Sequence, residues 1–444
     1  LFITNNVIKD KFNYERGEFH LLLSLQITEN GNIVELENLA RNIIDSSTFK
    51  VFKGKKSNTP LKITINKKVR FIRIQLQAIT SLNLEKIVLI ENSKPILPEF
   101  NVLASSVYDS RFNPCNVIGE ESDGNVTFHS KNEKDPWLLI YFPQQLKIDS
   151  IEIYNRDDDY YWRALSIKLE VSNNLKLWEN VYDNLDYKND NKYNSLTNIQ
   201  KAIVDCYAMQ IDPIIELLDK ISHSDSEQAN AIHSQANNLL NIRGRSLGPH
   251  GITKTFKDKS NDEINLAYKE LSSLLNILNN EYKLSTFISS GTLLGIVRDN
   301  GFIGHDDDID LCYISNFSNQ FEILNERKTL CSFLQQKGYS ILKSKDIAHI
   351  WIKSSEGISF DLFTGWKENS NCIMNPLDIE GVSVNVIFPL KIWGDKNLTI
   401  YMPNNAEDLL KLNYGDNWRT PDPFWKFDWS KAARDYSFLY GELK

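Results

Sequence analysis

Three consecutive aspartates, Asp306, Asp307 and Asp308, followed by Ile309 and Asp310, are the residues of this chain best equipped for chemistry. The apolar tail at 311–314 reads as a strand, so Asp308 and Asp310, two residues apart, point the same way. Two carboxylates on one strand face repel unless a positive charge sits between them, and a divalent metal holding a phosphate is the natural occupant. Just upstream, 286–288 reads as a short strand, and Ser289, Ser290, Gly291 and Thr292 turn the chain into a helical segment at 293–298. A glycine lets a phosphate approach the backbone, and the N–H groups opening a helix face an anion. Ser290, Gly291 and Thr292 are therefore the expected phosphate cradle, and Arg298 adds a positive contact at the far end of the helix. Asp299-Asn300-Gly301 is a turn.

Other elements must bring partners to these carboxylates. The segments 347–352 and 358–363 read as a hairpin around Glu356-Gly357, and Asp361 interrupts the otherwise apolar run Phe360-Asp361-Leu362-Phe363. A lone aspartate in a buried strand is costly unless it binds a charge, which makes Asp361 a third candidate. His349 and Trp351 share one face of the first hairpin strand, where His349 could line a pocket or pack in the core. A helix is expected at 264–282, capped by 261–263, and another at 317–337, ended by Gly338. A closing strand pair, a helix at 407–413 and the turn Tyr414-Gly415-Asp416 follow, with Tyr414 a candidate for the pocket wall. Asp306, Asp307 and His305 complete the candidate pocket.

The order Gly291-Thr292-Leu293-Leu294-Gly295, Arg298, Gly301, Ile303 and Asp306 to Asp310 resembles the LicD/fukutin family of nucleotidyltransferase-fold enzymes. It departs at Gly304 and His305, where that family usually carries Pro-Trp, a change beside the carboxylates and not in them. The likeness spans roughly 264–421 and is specific at the aspartate motif. It implies an α/β nucleotidyltransferase-like domain, dependent on Mg²⁺ (or Mn²⁺). Its reaction would move a phospho-alcohol (ribitol phosphate, glycerol phosphate or phosphocholine) from a CDP-activated donor to a glycan acceptor in capsule, lipopolysaccharide or teichoic-type polysaccharide synthesis. The same likeness implies that Asp308 and Asp310 hold the metal and that Asp361 is a further ligand or the base for the acceptor hydroxyl. Gly291 and Thr292 would then hold phosphate, with Arg298 offsetting charge on the leaving nucleotide. Two alternatives stay open: a nucleotidyltransferase moving an NMP onto a small alcohol or a protein, and a glycan-binding protein that keeps the fold without chemistry.

At 444 residues the chain exceeds one ordinary core, and two to four domains are expected. A net charge of -8 argues against nucleic acid as a partner. No apolar run reaches the roughly 18 residues of a membrane helix, and no signal peptide is evident, although the chain opens at Leu1 and not at Met. Five scattered cysteines without Cys-x-x-Cys spacing suggest free thiols. These features point to the bacterial cytoplasm, with peripheral association with a membrane-bound glycan assembly complex as the expected link to the membrane.

The region 1–93 reads as all-β, with strands at 20–27, 69–76 and 82–90. Its ending resembles the last strands of a discoidin-like (coagulation-factor C-type) sandwich whose front half is absent. A clearer copy is expected at 97–192, where the runs at 137–142 and 148–155 precede Arg156, Tyr160, Trp162, Arg163, Ser172 and Trp178. Such sandwiches commonly bind sugars or lipid head groups, and the run 157–163 could offer ring faces to a sugar or simply pack between strands. Amphipathic spacing predicts a helical connector at 195–248 with helices at 199–221 and 229–242, and the catalytic region begins at 250.

Overall fold

The computed structural model describes residues 31–444 except 120–124, 223, 249–250, 343–347, 395–397, 423–424, 426 and 441–444. The strand expected at 20–27 lies outside the described residues. The chain forms two compact units, Leu1–Thr253 and Lys254–Lys444.

The first unit is built on the strand Leu61–Leu76, whose start alternates buried and exposed residues as a half-buried strand should. It pairs antiparallel with Trp137–Asn155 along most of its length and with Ile167–Ser172 on its other edge. Asn83–Glu91 pairs with the same long strand, Trp137–Asn155. All of these belong to one eight-stranded sheet with its off-path strands. The expected partial sandwich at 1–93 and second copy at 97–192 are therefore corrected to one β-rich body whose main sheet draws strands from both. Strands from both sides of the supposed boundary hydrogen-bond to one another. Period-two alternation marks a strand without naming its partner, so halves of one sheet read as two repeats. The expected all-β start is also corrected. Gly31–Ile44 is a helix that buries Leu36, Ala40, Ile43 and Ile44 along one stripe.

The connector holds three helices where two were expected: Asn198–Tyr207, Asp212–Ile221 and Ser226–Ile242. Pro213 sits in the first turn of the second, where its missing N–H costs nothing, so it starts a helix instead of kinking one. These helices belong to the first unit. Asp205 accepts hydrogen bonds from the hydroxyls of Tyr187 at 2.9 Å and Tyr193 at 3.1 Å, and Lys188 stands 3.2 Å away. That buried polar knot ties the two sides of the expected 192/195 boundary together. Burial, the leading effect, raises the Asp205 carboxyl above the usual range, against the lowering pull of Lys188. Arg243 and Arg245 are both engaged within the first unit. Arg243 donates to the Tyr207 carbonyl at 3.0 Å and lies 3.8 Å over its ring, while Arg245 pairs with Asp159 at 2.7 Å.

The second unit wraps a seven-stranded sheet. Thr286–Ile288 runs antiparallel to Asp310–Ile314, which pairs in parallel with Ser359–Glu368. Ile350–Lys353 and then Ser340–Leu342 extend the sheet on the far side as antiparallel neighbours. The crossover between the parallel strands carries the helix Gln320–Gln336, closed just beyond by Gly338 at φ 92°. The preceding helix, Asn261–Asn276, opens on a capping box between Ser260 and Glu263. Its α-helical turns give way to a π turn at Ile277–Glu281, which accounts for the expected end near 282. This β-rich first unit, its helices and the α/β second unit match the architecture expected from the sequence, apart from the repeat at the N-terminal side.

Candidate functional site

The site forms where the helix Ser290–Asp299 meets the head of the strand Asp310–Ile314. Three bonds fix Asp310 there: its N–H donates to Thr292 Oγ1 at 2.8 Å, its carbonyl accepts from Ser289 N–H at 3.0 Å, and its Oδ2 accepts from Gly291 N–H at 2.8 Å. In the expected phosphate cradle, the Gly291 N–H thus holds the Asp310 carboxylate at the positive end of a helix, while the Thr292 hydroxyl anchors the Asp310 backbone. Ser290 takes φ 43° as the chain enters that helix, a conformation that L side chains rarely adopt and that only surrounding contacts sustain.

Gly291 has a specific reason to be glycine. A Cβ there would lie 2.5 Å from Asp306 Oδ2 and 3.2 Å from Asp310 Oδ2. Gly295 has another: its Cβ would meet the Gly301 carbonyl oxygen at 2.5 Å and Ile303 N at 2.9 Å. The two glycines of the motif let the helix lie directly against the acid cluster at one end and the returning loop at the other.

Asp361 arrives through the sheet. In the parallel ladder it is the register partner of Asp310, and its N–H donates to the Ile309 carbonyl at 2.9 Å. One ligand atom each from Asp308, Asp310 and Asp361 lie within 4.8 Å of one another. Asp306, Asp307 and Asp308 form a second such group, but these are neighbours in one loop, and Asp306 Oδ1 already accepts from Asp307 N–H at 3.0 Å. Burial first, and then the charge of Asp308, push the Asp306 carboxyl well above its ordinary range. The loop around the departing Gly304 and His305 is braced from behind, where Phe256 N–H donates to Asp306 O and Lys257 N–H to Gly304 O, both at 2.8 Å. His305 is half-buried, and that burial, with Arg298 nearby, lowers its pKa.

The remaining expected residues divide. His349 Nε2 stands 3.3 Å from Asp361 Oδ2, so this histidine belongs to the site and not to a remote core. Tyr414 also belongs: burial raises its hydroxyl pKa, and Asp310, Asp306 and Asp308 add to the rise. Arg298 is spent locally on its neighbour Asp299, at 2.9 Å, although its charge reaches both Tyr414 and His305. In the first unit, the rings of 160–162 are mostly committed to packing. Tyr161 is buried beneath Lys53, 4.3 Å over its ring, and a Cβ on Gly251 would sit 3.2 Å from the Trp162 ring.

Two groups of residues escaped the sequence reading. Arg327, fully buried, donates to Ala348 O at 2.6 Å and to Thr364 Oγ1, which in turn donates to the Tyr313 hydroxyl at 3.2 Å. It ties the crossover helix to the strand of Asp361 and to the residue before His349. Its signal was present, since Glu326 and Arg327 fall on the stripe of Ile323, Leu330 and Leu334. The second group is the aromatic run Trp425, Phe427 and Trp429, whose alternation lies beyond the motif.

Two family models match the chain, one in each unit. Residues 283–405 match the family described as LicD/FKTN/FKRP, nucleotidyltransferase domain. Residues 121–204 match the family described as NedA-like, galactose-binding domain, of the F5/F8 type C class. The order of the two is the one expected from the sequence. No curated protein sequence matches the chain. Among solved structures, the solution structure of the antibiotic-resistance factor ANT(2'')-Ia is 14% identical, covering 42% of this chain and 86% of that one, at a TM-score of 0.25. The crystal structure of ANT(2'')-Ia with adenylyl-2''-tobramycin is 12% identical, covering 41% and 90%, also at 0.25. A likeness that weak carries no argument here.

Proposed function

We propose that this chain, whose C-terminal unit carries a LicD-type nucleotidyltransferase domain, transfers a phospho-alcohol from a CDP-activated donor to a glycan. The observation that carries the reading is the convergence of Asp308, Asp310 and Asp361 within 4.8 Å. Three carboxylates this close suit a cation, and an all-oxygen donor set fits Mg²⁺ or Mn²⁺ better than a softer metal. When bound, such an ion supplies charge neutralisation on the transferring phosphoryl group.

The chain's own residues do the positioning. Gly291 and Thr292 hold Asp310 in one orientation, and the N-terminal end of the helix Ser290–Asp299 lends its positive potential to the same spot. Asp361 completes the set, its carboxylate in contact with His349. Phosphoryl transfer asks for little more than such placement and charge balance. No helix among the described residues is long and apolar enough to cross a membrane. We place the reaction at the cytoplasmic face, next to a glycan assembly complex.

The test is incubation with CDP-ribitol, CDP-glycerol and CDP-choline, with and without Mg²⁺ or Mn²⁺, reading the released nucleotide by mass spectrometry. Metal-dependent CMP release is expected. Pyrophosphate release from a nucleoside triphosphate would instead assign NMP transfer, and a folded protein without turnover would leave a glycan-binding role.

A further inference from the structure

The chain that follows Tyr414 carries a run of rings from one side of the carboxylate cluster to the other. At one end, the charges of Asp310, Asp306 and Asp308 act on the Tyr414 hydroxyl. From there the ring centroids step 4.6 Å to Trp425, 6.0 Å to Phe427, 5.0 Å to Trp429 and 6.4 Å to His349. His349 closes the run 3.3 Å from Asp361. Trp425 and Trp429 are 39% and 50% exposed. Both lie outside the matched stretch 283–405, so nothing in the family likeness accounts for them.

The shape of the run selects its ligand. Successive planes are tilted by 50° to 63°, so adjacent rings form no parallel-walled slot for a nucleobase. Neighbouring rings also touch one another, which leaves no gap between them the width of a trimethylammonium group. What the run offers to solvent is two indoles, Trp425 and Trp429, with the partly buried Phe427 between them, a stretch suited to a short oligosaccharide. Pyranose rings present apolar C–H faces that stack on indoles, with hydroxyls left at the edges for water and polar neighbours. The adjoining aspartates disfavour a polyanionic chain.

We infer that Trp425 and Trp429 form the acceptor subsite and that its ligand is a neutral oligosaccharide, laid along the arc so that its end reaches the cluster. Calling this ligand the acceptor rests on the transferase reading above; the binding site itself does not.

The probe is an array of neutral and acidic oligosaccharides, followed by calorimetric titration of the strongest neutral hit. The proteins are the full chain, W425A, W429A and the double variant. Glycan affinity should fall about tenfold in each single variant and further in the double. Mn²⁺ affinity and melting temperature should stay at the wild-type level. Failure of every neutral glycan to bind would overturn the inference. So would undiminished binding in the double variant, which would put the sugar site elsewhere, or displacement of the glycan by choline or CMP. The two readings fail separately. Loss of glycan binding in the variants, without metal-dependent CMP release from any CDP-alcohol, keeps the subsite and removes the transferase. CMP release alongside unchanged glycan binding in the variants does the reverse.

Discussion

Replacing Gly291 by alanine separates folding from the site more cleanly than removing a carboxylate. The glycine lies in the first turn of the helix Ser290–Asp299, and its φ is not in the left-handed region, so alanine meets no backbone obstacle. Helix propensity alone favours alanine there by up to about 1 kcal/mol. The new methyl group, however, would lie 2.5 Å from Asp306 Oδ2 and 3.2 Å from Asp310 Oδ2. Relief to an ordinary contact requires a shift of about 1 Å in the carboxylate or the helix. If the helix gives way, the 2.8 Å bond from Gly291 N–H to Asp310 stretches; if Asp306 gives way, its hold on Asp307 N–H is disturbed. Either shift reaches the proposed cation site, directly through Asp310 or through the loop that carries Asp308. Mn²⁺ affinity, read by calorimetry, should drop about 10- to 100-fold, as it does when orienting contacts are lost. CMP release should drop about 100-fold, the usual cost of a misplacement on this scale. The melting temperature of the metal-free protein should move by no more than a few degrees. Wild-type Mn²⁺ affinity in G291A would refute the reasoning, because the site would then tolerate the displacement. A collapse in melting temperature would refute it too, by showing that the glycine serves folding.

Three other outcomes follow from particular contacts. Arg327→Met removes a fully buried guanidinium and leaves the Ala348 carbonyl and the Thr364 hydroxyl without their donor, so urea denaturation should show a loss of about 1–3 kcal/mol. His129→Phe should flatten the pH dependence of the first unit. Burial is the main cause that lowers the His129 pKa. Its contribution is therefore present above the unfolded value and is lost as pH falls through about 6.5 towards the folded value. Melts at pH 5 and 7.5 should differ less in the variant, whose ring can keep the contacts with Tyr108 and Phe112. Finally, a chain starting at residue 254 should stay monodisperse by light scattering and bind Mn²⁺. One starting at 195 should aggregate, because it separates Asp205 from Tyr187, Lys188 and Tyr193.

What was legible in the sequence was local. The pair Asp308 and Asp310, the glycine turn and the order of the elements around it could be read because each depends on residues within one turn or one strand. Asp361 could be singled out because an acid amid Phe360, Leu362 and Phe363 demands a reason. The fusion of two apparent sandwiches into one β-rich body could not be read, since it is decided by which strand accepts the hydrogen bonds of Leu61–Leu76 and Asn83–Glu91. Asp205 hid for a similar reason: its polar partners lie 12 to 18 residues upstream, across what looked like a boundary. Gly291 and Thr292 suit an anion by residue type, but sequence alone does not show that the Gly291 N–H meets the Asp310 carboxylate or that the Thr292 hydroxyl accepts from the Asp310 backbone.

This difference between local and long-range information also orders the site by fragility. Asp310 is held by residues less than two dozen positions upstream, through three hydrogen bonds made at one helix end. Asp361 reaches the cluster only if the parallel ladder with Asp310–Ile314 keeps its register after the whole crossover. A slip of one residue would turn its carboxylate to the opposite face of the sheet. Arg327 sits on that crossover and grips Thr364, three residues beyond Asp361, together with the carbonyl of Ala348, next to His349. Its guanidinium therefore guards the register of Asp361, the one carboxylate of the three whose position depends on a distant strand. Damage to this clamp should reach the site through Asp361 and His349 first, while Asp308 and Asp310 keep their geometry.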